Sequence, residues 1–342
     1  MKEILVTGGL GYIGSHTVVD LMKKNYNVSI IDNLSNSEIF ILENIEKITG
    51  RKPNFFNVDL TDHNKTNSCF TKKKYDGVIH FAAFKSVSES VEYPEKYYNN
   101  NLNSLLNILK CMKENKVDNI VFSSSCTVYG QPDNLPVSEK SPFKEAESPY
   151  ARTKQISENI IKDFVNSSSF FSGISLRYFN PVGAHHSGLI GELPIGIPDN
   201  LVPFITQTAA GIRKELQIFG DDYDTHDGTA IRDYIHVEDL AEAHIAALER
   251  MCENKMESKY EYYNIGTGQG HSVFDVVKSF ESVSNLRLHY SVKERRSGDI
   301  EKIFSDCTIS NKKLGWNSKK GLDEMMSSAW EWEKNISKFT KG

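Results

Sequence analysis

Residues 3–14 read Glu3-Ile4-Leu5-Val6-Thr7-Gly8-Gly9-Leu10-Gly11-Tyr12-Ile13-Gly14. A short apolar run that stops at a glycine-rich turn predicts a strand followed at once by a helix, which continues through Val18, Val19, Leu21 and Met22. Gly8, Gly11 and Gly14 make a GxxGxxG spacing. Glycine permits the tight turn and lets backbone N–H groups approach a pyrophosphate at the positive end of the helix. A second strand, Val28-Ser29-Ile30-Ile31, ends at Asp32, where a carboxylate accepts from an adenosine ribose hydroxyl and repels a 2′-phosphate. The stretch therefore predicts NAD, not NADP.

The alternation continues. Strands are expected at 54–58, ending at Asp59-Leu60, at 77–81, ending at Ala82-Ala83-Phe84-Lys85, and at 119–122, ending at Ser123-Ser124-Ser125. A helix over 94–114 carries Leu102, Leu105, Leu106 and Leu109 as its stripe, with Asn99, Asn100 and Asn101 in its first half. Repeated βα units predict an α/β fold, a doubly wound parallel sheet of Rossmann type, with ligands at the carboxyl ends of its strands. The glycine loop and the serines then face one cleft.

Ser148-Pro149-Tyr150-Ala151-Arg152-Thr153-Lys154 opens the next helix, with Ser148 as N-cap and Pro149 at the first position. Tyr150 and Lys154 share a face at i, i+4. An ammonium beside a phenol, and the positive helix end, favour the phenolate. Tyr-x-x-x-Lys alone is a weak signal. It gains weight from the glycine loop that precedes it.

After a strand at 173–179, broken by Asn180-Pro181, the alternation fades. Residues 183–200 are rich in Gly, Pro and His and read as a loop. Adjacent His185 and His186 are expected to point apart, with no carboxylate or thiol at ligand spacing, so no metal is predicted. Residues 221–227 are acidic without an EF-hand pattern. Arg232 opens a segment that suits an anion. Helices are expected at 201–212, 238–251, 272–280 and 322–332, and strands at 263–266 and 286–292. The expected division is a cofactor domain over 1–180 and a smaller substrate domain over 181–342, with part of 231–265 packing back on the first.

Bulk properties narrow the function. The chain has 342 residues and a net charge of −5, which argues against a nucleic-acid or membrane-surface role. No apolar run approaches the ~20 residues that span a bilayer. The five cysteines are scattered without a CxxC pair and fit reduced thiols, hence a cytoplasmic protein.

TGGLGYIGSH, SSSCTVYG, SPYARTK, RYFNPVGAHHSG, GIPDNL, GTAIRDYIHVEDLA and RRSGD occur in that order. The ordered set resembles the UDP-galactose 4-epimerase family of extended short-chain dehydrogenases/reductases, from Met1 to about residue 332. The resemblance implies that Gly8, Gly11, Tyr12, Ile13 and Gly14 cradle the NAD pyrophosphate and that Asp32 and Asn33 hold the adenosine ribose. It places Asp59, Leu60, Phe81, Ala82, Lys85, Asn100 and Tyr178 around the same cofactor. Ser125, Tyr150 and Lys154 fall at the catalytic positions. Lys85, Phe179, Asn180, Asn200, Leu201, Arg232, Arg296, Asp299 and Ile303 match residues that hold the UDP-sugar.

The implied reaction interconverts UDP-galactose and UDP-glucose through a 4-ketose. Tyr150 moves the proton of the sugar 4-hydroxyl with help from Ser125, and NAD carries the hydride and stays bound. A homodimer paired through the helices at 94–114 and after Tyr150 is also implied. Ile303, seven residues beyond Arg296, stands where the family has a tyrosine or a smaller residue. It suggests added use of the N-acetylated UDP-sugars. A 4,6-dehydratase resembles a pattern with an Asp-Glu pair beside the catalytic serine or threonine, whereas Cys126-Thr127 follows Ser125 here. A net dehydrogenase would release NADH. A non-catalytic NAD-sensing module need not keep serine, tyrosine and lysine together.

Overall fold

A computed structural model describes residues 1–296 and 299–339. The first stretch runs β1 (Glu3–Thr7), α1 (Tyr12–Lys23), β2 (Asn27–Asp32), α2 (Phe40–Thr49), β3 (Asn54–Asn57), α3 (His63–Phe70), β4 (Gly77–His80), α4 (Val87–Glu92), α5 (Pro94–Asn115), β5 (Asn119–Ser123), α6 (Pro149–Asn166) and β6 (Ser172–Tyr178). The rest runs β7 (Asn180–Val182), α7 (Leu201–Ala209), β8 (Leu216–Phe219), β9 (Ile231–His236), α8 (Val237–Cys252), β10 (Tyr260–Ile265), β11 (Gly270–Ser272), α9 (Val273–Ser284), β12 (Tyr290–Lys293), β13 (Lys302–Ile303), α10 (Thr308–Leu314) and α11 (Leu322–Ile336).

Seven strands form one sheet in the order β10-β6-β5-β4-β1-β2-β3. Every pairing in it is parallel. Successive side chains on a strand point to opposite faces, and β1 shows the consequence. Ile4 and Val6 enter a core with Val18, Val19 and Leu240 of α1 and α8. Leu5 enters the opposite core, with Leu105 and Ile108 of α5 and Ile161 of α6. Burial on both faces explains why the strands read as continuous apolar runs. The order reverses between β1 and β4, so the crevice that such sheets use for ligands opens there, beyond the strand ends.

The chain leaves this sheet at β7 and returns to it. Helix α8 packs on α1 and on β5 and β6, and β10 pairs with β6 as the edge strand. Asn180-Pro181 does break β6, but it also starts β7, which pairs with β9 in a smaller sheet completed by β11 and β13. Val202, Ile205, Leu216, Val276, Phe280 and Met326 form the core of that part. The alternating residues 286–292 yield a strand only from Tyr290, where β12 finds β8 as a partner. Before it only His289 reaches β8, its carbonyl accepting from Leu216 N at 2.8 Å, and pattern without a partner does not make a strand.

Candidate active site

The glycine loop is fixed by contacts that admit no side chain. Gly8 has φ +66°, and a Cβ there would meet Ala82 N at 2.8 Å, so the loop rests directly on the chain after β4. A Cβ at Gly14 would collide with the Gly8 carbonyl. Gly11 is the N-cap of α1, and no side chain bonds its first-turn N–H groups. That helix end, with its positive dipole and open donors, suits a dianionic pyrophosphate.

Asp32 holds this loop as well as facing the crevice. Its Oδ2 accepts from Leu10 N at 3.1 Å, and its Oδ1 accepts from Leu34 N at 3.0 Å and Ser37 Oγ at 2.8 Å. A carboxylate has about four acceptor sites, so capacity remains for a ribose hydroxyl. Asp59 lies beyond β3 and takes Thr61 N at 2.8 Å, Thr61 Oγ1 at 2.7 Å and Asn33 Nδ2 at 3.4 Å. Burial acts to raise its pKa, but the bonds from Thr61 and Asn33 win and hold it below the usual carboxylate range. These donors and acceptors fit an adenosine dinucleotide.

The predicted chemical groups meet at the ends of β5 and β6. Ser148 caps α6 by accepting from Ala151 N at 3.2 Å, which puts Tyr150 in the first turn. Ser125, Tyr150 and Lys154 are all buried. Ser125 Oγ accepts from Thr127 N at 3.2 Å and acts to lower the pKa of the Tyr150 phenol. Lys154 Nζ donates to Ser123 O at 2.7 Å and stands 5.8 Å from the Tyr150 ring centre. Tyr178 and Ser123 share a hydroxyl hydrogen bond of 2.7 Å.

The expected phenolate is not what the chain's own groups favour. Burial, and then Tyr178, push Tyr150 well above the usual phenol range, against the opposing influence of Ser125. Burial also lowers Lys154 to about 8, partly offset by Glu158. Lysine and phenol share a face, as the spacing requires, but the ammonium is anchored to a carbonyl and not to the phenol.

On the far side of the crevice, Arg232 Nη2 donates to Asp299 Oδ1 at 2.7 Å and Arg296 Nη2 to Asp299 Oδ2 at 3.3 Å. Two guanidinium groups against one carboxylate leave excess positive charge, which suits a second pyrophosphate. Ser297 and Gly298 of the predicted turn lie outside the described residues. Asn180 pairs with Tyr234 across β7 and β9. Asn200 caps α7, which begins at Leu201, yet its amide donates to Glu192 Oε1 at 2.7 Å. Lys85 Nζ reaches the same oxygen at 2.8 Å. Ile303 pairs with Arg232 and is buried with Val128, Tyr129, Val137 and Phe179.

Sequence reasoning missed several residues. Glu192 joins Lys85 to Asn200 from inside an aperiodic loop, where nothing local marks it. Asp233 is fully buried and accepts from Thr267 N, Gly268 N and Ser305 N at 2.8, 3.1 and 3.0 Å, tying two segments to the strand of Arg232. Asn101, not Asn100, is the buried member of the asparagine run. It bonds both the N–H and C=O of Phe84 at 2.9 and 3.1 Å and so fixes the chain after β4, while Asn100 donates to Asn101. The expectation for His185 and His186 fails in both of its parts. Their ring centres lie 4.0 Å apart, and Glu238, distant in sequence, brings Oε1 to 3.0 Å from His186 Nδ1. Local spacing cannot register a carboxylate that arrives on another helix.

The profile of the GDP-mannose 4,6 dehydratase family matches residues 5–329. The chain is 47% identical over 336 residues to the UDP-glucose 4-epimerase of Drosophila melanogaster, covering 96% of each. The solved UDP-glucose 4-epimerase of Bifidobacterium longum, in complex with NAD+ and UDP, superposes with a TM-score of 0.94 at 43% identity, covering 98% of this chain and 99% of that one. The UDP-Glc/GlcNAc 4-epimerase of Campylobacter jejuni gives a TM-score of 0.85 at 36% identity, covering 98% and 100%.

Proposed function

The chain belongs to the UDP-glucose 4-epimerase family, and from that membership we propose that it interconverts UDP-galactose and UDP-glucose through a 4-keto intermediate, with NAD as its resident cofactor. The observation that carries this reading is the buried grouping of Ser125, Tyr150 and Lys154 at the same carboxyl end of the sheet as the glycine loop. Bound NAD supplies the hydride acceptor, later the donor, and a positively charged ring.

The chain's own residues do the rest. Gly8, Gly11 and Gly14 leave the first-turn N–H groups of α1 open for the cofactor pyrophosphate, and Asp32 takes the adenosine ribose. Lys154 has given one of three N–H groups to Ser123 and keeps two for the nicotinamide ribose. Tyr150, as the phenolate that Lys154 and the positive charge of the bound cofactor would favour, removes the proton from the sugar 4-hydroxyl and returns it after the ketose has turned its other face. Ser125 passes that proton and holds the reacting oxygen. Arg232 and Arg296 bind the UDP pyrophosphate, with Asp299 holding their forks in register. Phe179, Asn180, Asn200, Leu201 and Lys85 frame the sugar. We assign the cofactor to the seven-stranded unit, including α8 and β10, and the UDP-sugar to the remainder. The active form in this reading is a cytoplasmic homodimer.

The dehydratase reading is disfavoured by chemistry. Burial pushes the Cys126 thiol up to about 12, and Thr127 follows it, so neither serves as an acid/base partner to Ser125 near neutral pH. The test is direct: purified protein, denatured, should release about one NAD per chain and, intact, convert UDP-galactose to UDP-glucose without net NADH. Stoichiometric NADH release would replace this reading with a dehydrogenase. Absence of conversion would leave an NAD-binding module.

A further inference from the structure

Outside the active site, the segment after β7 carries a histidine pair that the proposed reaction does not use. Tyr12 Oη donates to Gly183 O at 2.6 Å, and Ser328 Oγ accepts from Ala184 N at 3.1 Å, so this segment is fastened between α1 and α11. His185 is buried and His186 is 69% exposed. Glu238, in the first turn of α8, faces both.

We propose that His185, His186 and Glu238 form a binding site for a divalent transition metal of the zinc class, open to solvent at its fourth position. The geometry is close to that of a loaded site. Zn–N and Zn–O bonds of about 2.0–2.2 Å put tetrahedral ligand atoms about 3.3–3.5 Å apart. Glu238 Oε1 lies 3.0 Å from His186 Nδ1 and 3.7 Å from His185 Nε2, values that bracket this separation. One ligand atom from each residue lies within 4.8 Å of the other two. Two imidazoles and a carboxylate are a borderline donor set that suits Zn²⁺ and Co²⁺ better than Mg²⁺ or Ca²⁺.

His185 Nε2 is also placed for ligation. Its Nδ1 is 2.8 Å from Ser187 Oγ, and its Nε2 faces the Lys23 ammonium at 3.0 Å. An ammonium only donates, so Nε2 offers it a lone pair, while Nδ1 meets both the Ser187 hydroxyl and the Ser187 N–H, the latter at 3.2 Å. The hydroxyl partner on Nδ1 is the outer-shell contact that metal-bound histidines commonly have. Lys23 thus holds the lone pair that a metal would take, and being exposed it can withdraw to solvent. Lys320 holds Glu238 Oε2 at 3.1 Å and leaves Oε1 to the histidines. His16, its ring centre 6.3 Å from that of His185, gives Nδ1 to Tyr12 O and leaves a buried Nε2 without a partner. His236 is not a ligand, since its nitrogens serve Glu238 N and Ser328 Oγ at 3.1 and 3.0 Å.

The test is titration of untagged, NAD-loaded protein with Co²⁺, followed by its visible absorption, and then displacement with Zn²⁺. We expect an intense low-coordinate band that saturates near one Co²⁺ per chain and is lost on adding Zn²⁺. His186→Ala, an exposed change that leaves the fold intact, should weaken binding by about 10-fold or more, since even outer-shell changes cost ~10–100-fold. Lys23→Met should tighten it by freeing His185 Nε2. Absence of a saturable band in the parent, or an undiminished band in His186→Ala, overturns the site. Unchanged affinity in Lys23→Met overturns the assignment of His185 Nε2 as a ligand.

Discussion

Lys154 gives an N–H to the Ser123 carbonyl at 2.7 Å, and this bond ties the middle of the catalytic helix to the end of the central strand β5. The lysine is thereby held from a fixed anchor, its ammonium 5.8 Å from the Tyr150 ring centre. Two substitutions should separate these roles. Tyr150→Phe should keep the fold and its NAD while losing ~10²–10⁴-fold in kcat, the usual cost of a positioned acid/base group. Lys154→Met should lose both NAD affinity and turnover. Equal NAD retention in the two variants, read by extraction, would refute the ribose contact.

Asp32 should report on the loop as well as the cofactor. It has three bonds within the chain, from Leu10, Leu34 and Ser37. Asp32→Ala should therefore weaken NAD binding and also destabilise the NAD-free protein, by about 1–3 kcal/mol for donors left unpaired, which lowers its melting temperature. Ser37→Ala removes one of those bonds and should weaken NAD binding much less. Calorimetry of both variants, with and without NAD, checks this.

Asp20 on α1 gives a pH-dependent test. Burial raises its carboxyl from 3.8 to about 7, against the opposing charge of Lys23. Between these values the folded chain binds the proton more tightly than the unfolded chain, so this group's contribution to stability falls as pH rises from about 4 to 7. The full shift is worth up to about 4 kcal/mol, and partial exposure reduces it to about 1–2 kcal/mol. Asp20→Asn should raise the melting temperature at pH 7–8, with the gain vanishing near pH 4. A gain independent of pH would refute the mechanism.

What the sequence made legible follows from the range of the interactions involved. The strand–turn–helix at 3–23, the Ser148 cap and the acid ending β2 are local features, and local rules locate them. The N-terminal sheet was readable because each βα unit repeats the same pattern. The second part is assembled from pairings such as β7 with β9 and β8 with β12, whose partners lie far apart in the chain. There, periodicity overextended the strand at 286–292 and failed to find β8, β11 and β13. Asp233, Glu192 and Glu238 act on segments that only the fold brings near. For Tyr150, spacing reports the neighbouring lysine but not the burial that pushes its pKa up.

The proposed homodimer has a surface to test. Helices α5 and α6 pack on each other, and α5 leaves Leu106 about half exposed, at 47%. Val91 on α4 is 62% exposed. Sedimentation at micromolar concentration should give twice the chain mass, and Leu106→Glu should shift the protein toward monomer. A monomeric parent would exclude the dimer.

We propose that Ile303 sets how far the sugar specificity extends. It lies on β13 opposite Arg232, and its side chain is 3% exposed among Val128, Tyr129, Val137 and Phe179. Val128 belongs to the turn that follows Ser125, so this cluster backs the sugar-facing wall and need not touch the sugar itself. A tyrosine at 303 carries more volume than the cluster holds. It must either strain the core, at about 1–3 kcal/mol, or push its ring into the crevice. Isoleucine is smaller and stiff at χ1, so it leaves that space open for an N-acetyl group at the sugar's 2-position. The parent should therefore turn over UDP-N-acetylgalactosamine as well as UDP-galactose. Ile303→Tyr should lower kcat/KM for the N-acetylated sugar by about 10-fold or more, roughly the effect of 1.4 kcal/mol of steric exclusion, with UDP-galactose turnover largely kept. No N-acetyl turnover in the parent would remove the proposal. Equal losses on both sugars would mean that the substitution acts through the fold and not through the pocket.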